Sequence, residues 1–228
     1  FWKYLMKKEL FKRIISSIIL IPIALFFILN GSFLFNFFIL ICLIITSYEW
    51  HKMSKNKSYY LAGFAFLVFS FYTTYKLIDF GGSYHYFLTV MLICISTDIG
   101  GYIFGKLFKG PKLTKISPNK TYSGMIGSFI LSVVAAKLFI ENSFVLTSHI
   151  TIFEFGFFKS NDFNLLLVIL FISSISQIGD LVVSYFKRLS KVKNTGNLIP
   201  GHGGILDRID GMIFVFPSVF IIYFILNL

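Results

Sequence analysis

Residues 177 to 210 read QIGDLVVSYFKRLSKVKNTGNLIPGHGGILDRID. The run starts apolar, turns basic, breaks at Pro200-Gly201-His202-Gly203-Gly204 and closes on Asp207, Arg208 and Asp210. Such a run predicts a membrane helix that ends in a basic, glycine-rich loop. On a helix, Gln177, Asp180, Ser184 and Lys187 follow steps of three, four and three and share one face. Ile178, Leu181, Val182, Val183 and Tyr185 cover the other faces. An ionisable group at membrane depth is costly unless it faces a bundle interior or a wet cavity, so Asp180 is a candidate site residue. The blander reading of Gln177 and Ser184 is that they only glue helices together through hydrogen bonds.

The break carries a second signal. Gly201, Gly203 and Gly204 allow backbone conformations in which successive N–H groups form a concave anion nest, and His202 sits within it. Asp207 and Asp210 lie three apart and share a face if the segment is helical, with Arg208 to the side. Two carboxylates and a guanidinium beside such a nest suit Mg²⁺ plus phosphate. The bland alternative is a salt-bridged, solvated turn.

Ser184-Tyr185-Phe186-Lys187-Arg188, then Lys193-Asn194, then Pro200-Gly201-His202-Gly203-Gly204-Ile205-Leu206-Asp207-Arg208-Ile209-Asp210 resemble, in order and spacing, the signature of the phosphatidate cytidylyltransferases, also called CDP-diacylglycerol synthases. The chain departs from that pattern at Asn194, where the family carries Asp.

Composition places the rest of the chain in a membrane. Of 228 residues 56% are hydrophobic and 14% charged, 30 are Phe, and the mean hydropathy is +0.80. Apolar spans fall near 14–30, 33–48, 59–77, 84–105, 123–141, 163–186 and 211–228. The expected fold is therefore all-α, a polytopic integral membrane protein of about seven transmembrane helices in a single catalytic domain over residues 1–228. Residues 144–162 are apolar enough to lie in the interface, re-enter or add crossings. The chain opens at Phe1, which leaves a start upstream or at Met6 open.

The net charge of +11 sits in short segments between the spans, which sets nucleic acid aside as a partner. Lys3, Lys7, Lys8, Lys12, Arg13, Lys52, Lys55, Lys57, Lys106, Lys109, Lys112, Lys115, Lys120, Lys187, Arg188, Lys191, Lys193 and Arg208 fall on one side. Only Lys76, Lys137 and Lys159 fall on the other. By the positive-inside rule the N-terminus is cytoplasmic and the C-terminus outside, in the cell (inner) membrane with the site facing the cytoplasm. Glu49, Trp50 and His51 stand where interfacial anchors are expected, and His51, His85 and His149 are too isolated to be ligands. Cys42 and Cys94 form no CxxC motif and imply neither disulfide nor metal.

The fourth span carries Asp98 inside Ser96-Thr97-Asp98-Ile99-Gly100-Gly101, and Gly101 and Gly105 form a GxxxG face open to close approach by another helix and a second carboxylate. The basic loop that follows ends in Ser117-Pro118-Asn119-Lys120-Thr121. This too resembles the cytidylyltransferases, with Asn119 for a lysine and Ser123 for a glutamate, so site-forming segments fall at 96–124 and 177–211.

The resemblance implies transfer of the cytidylyl group of CTP to phosphatidic acid in the bilayer, giving CDP-diacylglycerol and pyrophosphate. It implies Asp180 and Asp207 as ligands of Mg²⁺, with a second cation left open, and Asp210 and Asp98 in support. Lys187, Arg188, Arg208, Lys193, Ser184, Lys120, Thr121 and the Gly201-His202-Gly203-Gly204 turn would hold phosphates. Oligomeric state, a homodimer included, is left open. A CTP-dependent kinase of a polyprenol-type lipid and a membrane transporter are the rival readings.

Overall fold

The computed structural model describes residues 22–30, 32–81, 84–146, 162–199 and 203–226. Among them there is no strand, and the only β-bridges are Lys112 with Thr121 and Ile199 with Gly203. After a helical stretch at 22–29 come α1 (Ser32–Ser54), α2 (Tyr60–Gly81), α3 (Tyr84–Phe108), α4 (Tyr122–Leu146), α5 (Asp162–Leu189), α6 (Leu206–Ile209) and α7 (Met212–Leu226). Four segments, Phe33–Ser54, Phe87–Phe108, Tyr122–Glu141 and Phe163–Leu189, are long and apolar enough to cross a membrane, and Met212–Ile225 is a shorter apolar helix. In hydrocarbon every backbone N–H and C=O must pair within its own segment, which is why apolar runs of this length become helices. The architecture is that of an all-α membrane protein.

Each span expected from 33–48 onward corresponds to a helix. Of the expected span at 14–30, residues 22–30 are described and 22–29 are helical; residues 14–21 lie outside the described residues, as does the 144–162 stretch from 147 to 161, beyond the end of α4 at Leu146. Large apolar side chains such as Phe33, Leu61, Tyr102 and Leu107 are exposed, as lipid allows. Some buried hydroxyls bond back along their own helix: Thr46 Oγ1 donates to Cys42 O at 2.8 Å and Ser96 Oγ to Leu92 O at 2.7 Å. Beyond the ends of α1, α3 and α5 stand the left-handed residues Asn56 (φ 66°), Lys109 (φ 47°) and Lys191 (φ 58°), which turn the chain into a loop.

The chain divides into two compact units, Phe1–Tyr75 with Phe186–Ile209 and Lys76–Tyr185 with Asp210–Leu228. In the first, Phe35, Trp50, Leu67, Phe71, Ile199 and Leu206 are buried, and Trp50 packs edge-on against Phe186 and Tyr59. In the second, Ile93, Ala136, Ile172, Val183 and Val215 form the core, and Phe87 stacks on Phe216 at 5.1 Å.

α3 and α4 are the most closely associated helices of the second unit, and glycine is the reason. A Cβ on Gly100 would stand 2.5 Å from the carbonyl oxygen of Gly127, against backbone that cannot yield. On Gly101 it would meet the Ser128 hydroxyl at 2.9 Å, a group able to rotate. Ser128 Oγ donates across the same contact to Thr97 O at 2.7 Å. The expected glycine face therefore exists; on α3 its tightest point is Gly100, and it meets Gly124, Gly127 and Ser128. We predict that Gly100→Ala lowers the thermal unfolding midpoint of the detergent-solubilised protein by an amount equivalent to about 1–3 kcal/mol of overpacking, with Gly101→Ala nearer wild type. Equal midpoints for the two variants would contradict this packing.

Candidate active site

In the first unit, the loop that follows α5 is strung between two carboxylates. Asp207, on the single turn of α6, accepts from Thr195 N at 2.8 Å and Gly204 N at 3.0 Å through Oδ2, and from Lys187 Nζ at 2.9 Å through Oδ1. Both charged side chains of that pair are largely removed from solvent, at 11% and 7% exposure. Glu49, near the end of α1, is 2% exposed and accepts three more bonds. They come from Ile205 N at 2.9 Å, Leu206 N at 2.8 Å and Thr195 Oγ1 at 3.0 Å. Successive N–H groups at 204, 205 and 206 thus converge on carboxylates, as an anion nest does, but the anions are the protein's own.

This alters the reading of the glycine turn. The N–H of Gly203 donates to Ile199 O at 3.2 Å while Ile199 N donates to Gly203 O at 2.9 Å, and that of Gly204 goes to Asp207. Those two groups, expected to cradle phosphate, are therefore satisfied internally. Gly203 has φ +97°, which an L side chain resists, and a Cβ there would also approach Asp207 Oδ2 to 2.6 Å. Gly204 is required for space instead, because a Cβ would overlap Glu49 Oε2 and Thr195 Oγ1. Pro200, Gly201 and His202 lie outside the described residues.

The second unit brings together Lys120, Asp180 and Ser184. Lys120 Nζ and Asp180 Oδ2 form an ion pair at 2.5 Å, and Ser184 Oγ donates to Asp180 Oδ1 at 3.3 Å. A hairpin-like loop aims the lysine: Leu113 N donates to Lys120 O at 2.8 Å and Tyr122 N to Pro111 O at 3.1 Å. Thr121 closes it as the N-cap of α4, its hydroxyl accepting from Gly124 N at 3.1 Å. Gln177 Nε2 lies 3.5 Å from Ser173 Oγ, which accepts from Thr97 Oγ1 at 2.8 Å, so this part of the stripe joins α5 to α3.

The remaining candidates are more dispersed. Arg188, Lys193 and Arg208 are exposed, as is Asp98 on α3. Asp210 is 7% exposed and its Oδ1 accepts from Gly211 N at 3.0 Å, at the start of α7. Glu49 is the residue that sequence reasoning misplaced. It and Trp50, expected as interfacial anchors, are both buried, and the Trp50 indole donates to Tyr60 O at 3.0 Å. The available signal was a lone acid at the end of an apolar helix, the same signal that singled out Asp180.

Among the described residues, no group of three or more His, Cys, Asp or Glu is close enough to cage a metal. Asp180 and Asp207 are single carboxylates, each already facing a lysine. Mg²⁺ takes one or two carboxylates and fills its other positions with water and substrate phosphate, so these hard oxygen donors fit it.

The model of the family described as "Cytidylyltransferase family" matches residues 11–84 and 58–226. A phosphatidate cytidylyltransferase of Rickettsia bellii (strain RML369-C) is 33% identical over 219 residues, which covers 95% of this chain and 91% of that protein. Its counterpart in Rickettsia felis (strain ATCC VR-1525 / URRWXCal2) is 34% identical over 222 residues, with 95% and 93% covered. The phosphatidate cytidylyltransferase of Staphylococcus haemolyticus (strain JCSC1435) is 44% identical over 134 residues, 58% of this chain and 46% of that protein. With a match over most of its length, the chain belongs to the cytidylyltransferase family.

Proposed function

We propose that the chain transfers the cytidylyl group of CTP to phosphatidic acid, forming CDP-diacylglycerol and pyrophosphate. The observation that carries this reading is the near full-length relation to two phosphatidate cytidylyltransferases. A phosphate oxygen of phosphatidic acid attacks the α-phosphorus of CTP, and a P–O–P bond forms. The bond from the α-phosphorus to the oxygen bridging it to the β-phosphorus breaks, and pyrophosphate leaves with that oxygen and its electron pair.

The nucleophile is already an anion, so the residues need not supply a strong base; their task is to hold phosphates together against repulsion. Lys120 and Lys187 are suited to this because each is an ammonium held in place by a carboxylate. In the complex they turn toward phosphate oxygens, while the exposed guanidiniums of Arg188 and Arg208 offer bidentate partners. Asp180 and Asp207 would hold Mg²⁺, which when bound supplies the positive charge that offsets the triphosphate and the leaving group. The lipid keeps its tails in the bilayer, which accounts for a phosphate-handling site built on membrane helices.

Charge asymmetry supports a cytoplasmic placement: eighteen Lys and Arg lie on the N-terminal side of the expected topology against three on the other, of 21 in all. This reading has seven spans, a cytoplasmic N-terminus and a site open to cytoplasmic CTP in the cell membrane. Cysteines placed at Lys112 and Lys193 should react with an impermeant maleimide only from the cytoplasmic side. Labelling of either from the outer side would overturn the orientation.

The chemistry is tested with purified protein, CTP, phosphatidic acid and Mg²⁺. Asp180→Asn and Asp207→Asn should each lower CDP-diacylglycerol formation by about 100-fold or more, because each leaves a lysine without its acid and removes a metal ligand. Asn194→Asp should change the rate by no more than about threefold, since Asn194 is exposed and Asp207 already takes the Thr195 amide. Near-normal Mg²⁺-dependent synthesis by either asparagine variant would remove that acid from the mechanism.

A further inference from the structure

The geometry points to Glu49 as a positioning residue for the cytidylyl transfer: an internal anion that holds the 204–207 turn in the form that presents Asp207 and Lys187 to phosphate. This inference rests on the function proposed above, and it concerns a residue outside the motif on which that function was read.

Among the described residues the donors to the Glu49 carboxylate are neutral, two backbone amides and one hydroxyl. A buried carboxylate is costly unless its lone pairs are met, so it favours the one loop conformation that brings Ile205 N, Leu206 N and Thr195 Oγ1 to it. An apolar residue of similar volume would fill the space without specifying that conformation.

Thr195 ties the two acids together, donating its hydroxyl to Glu49 and its amide to Asp207. The amide preceding the two that Glu49 holds, Gly204 N, goes to Asp207. The position of Asp207 is therefore linked through shared residues to that of Glu49, which sits on a 23-residue helix rather than on the loop. The loop also leaves room for this acid in particular. A Cβ on Gly196 would come within 3.0 Å of Glu49 Oε1, and one on Gly204 would overlap Oε2.

A residue that merely stabilised the fold would, when altered, loosen the helices and the loop alike. Glu49→Gln keeps the size and one acceptor oxygen but sets an NH₂ against donors. In hydrogen exchange, peptides covering 193–199 and 203–207 should exchange about tenfold faster, while those covering 163–183 stay as in wild type. With CTP and phosphatidic acid, kcat should fall about 10-fold to 100-fold and the Mg²⁺ concentration for half-maximal rate should rise. The KM for phosphatidic acid should stay within about twofold, and Glu49→Asp should recover part of the rate. Thr195→Val, which removes one donor and leaves the carboxylate, should give a smaller loss of the same pattern and decides the matter if Glu49→Gln does not accumulate. Wild-type turnover is measured first, so failure of the function appears as an inactive wild-type chain. Failure of this inference appears as wild-type kcat and loop exchange in the Glu49→Gln or Thr195→Val chain, or as loosening spread equally over 163–183.

Discussion

A carboxylate in a bundle of apolar helices keeps its charge only with partners in hydrogen-bond reach, and this chain answers that constraint in three ways. Asp180 takes a lysine from the loop between α3 and α4. Asp207 takes a lysine from the end of α5 together with two amides. Glu49 takes two amides and a hydroxyl, with no cation among the described residues. On the proposed function this difference has a use. A lysine can leave a carboxylate for a phosphate and return, whereas amides of a closed turn cannot. The first two acids are thus suited to exchange partners during a reaction, and the third to stay still.

The supporting helices are built so that these acids have something rigid to stand on. α3 and α4 meet backbone to backbone at Gly100 and Gly127, which fixes both ends of the loop carrying Lys120. Thr121 caps α4 at the residue after that lysine, so the ammonium is placed by a helix start rather than by a free loop. Thr46 on α1, Ser96 on α3 and Ser174 on α5 bond back to carbonyls of their own helices, whereas the buried Ser176 hydroxyl on α5 finds no hydrogen-bond partner among the described residues.

Helix positions were legible because apolar runs of membrane-crossing length leave one solution for the backbone. Asp180, Lys187 and Asp207 were legible because charge at the end of such a run is unusual, and Gly203 because its turn demands positive φ. Glu49 was not read as a loop partner because its donors lie more than 140 residues along the chain, and no local period records that pairing. The nest was read as facing a ligand for the same reason: sequence shows convergent N–H groups but not the remote acid that fills them. Gly100 was passed over in favour of the GxxxG pair at Gly101 and Gly105, since spacing identifies a glycine face but not its point of closest approach.

The reaction assigned to the chain is distinguished from a kinase reaction by which phosphorus of CTP reaches the lipid. Attack at the α-phosphorus carries the cytidine across and releases the β- and γ-phosphates together, while attack at the γ-phosphorus leaves the nucleotide behind. The most direct measurement is therefore partition of label between lipid and aqueous products when the purified protein, phosphatidic acid and Mg²⁺ are given CTP labelled at the α- or the γ-phosphorus. The account predicts α-label in the lipid fraction and γ-label in pyrophosphate; γ-label in the lipid, or no transfer of either, would contradict it.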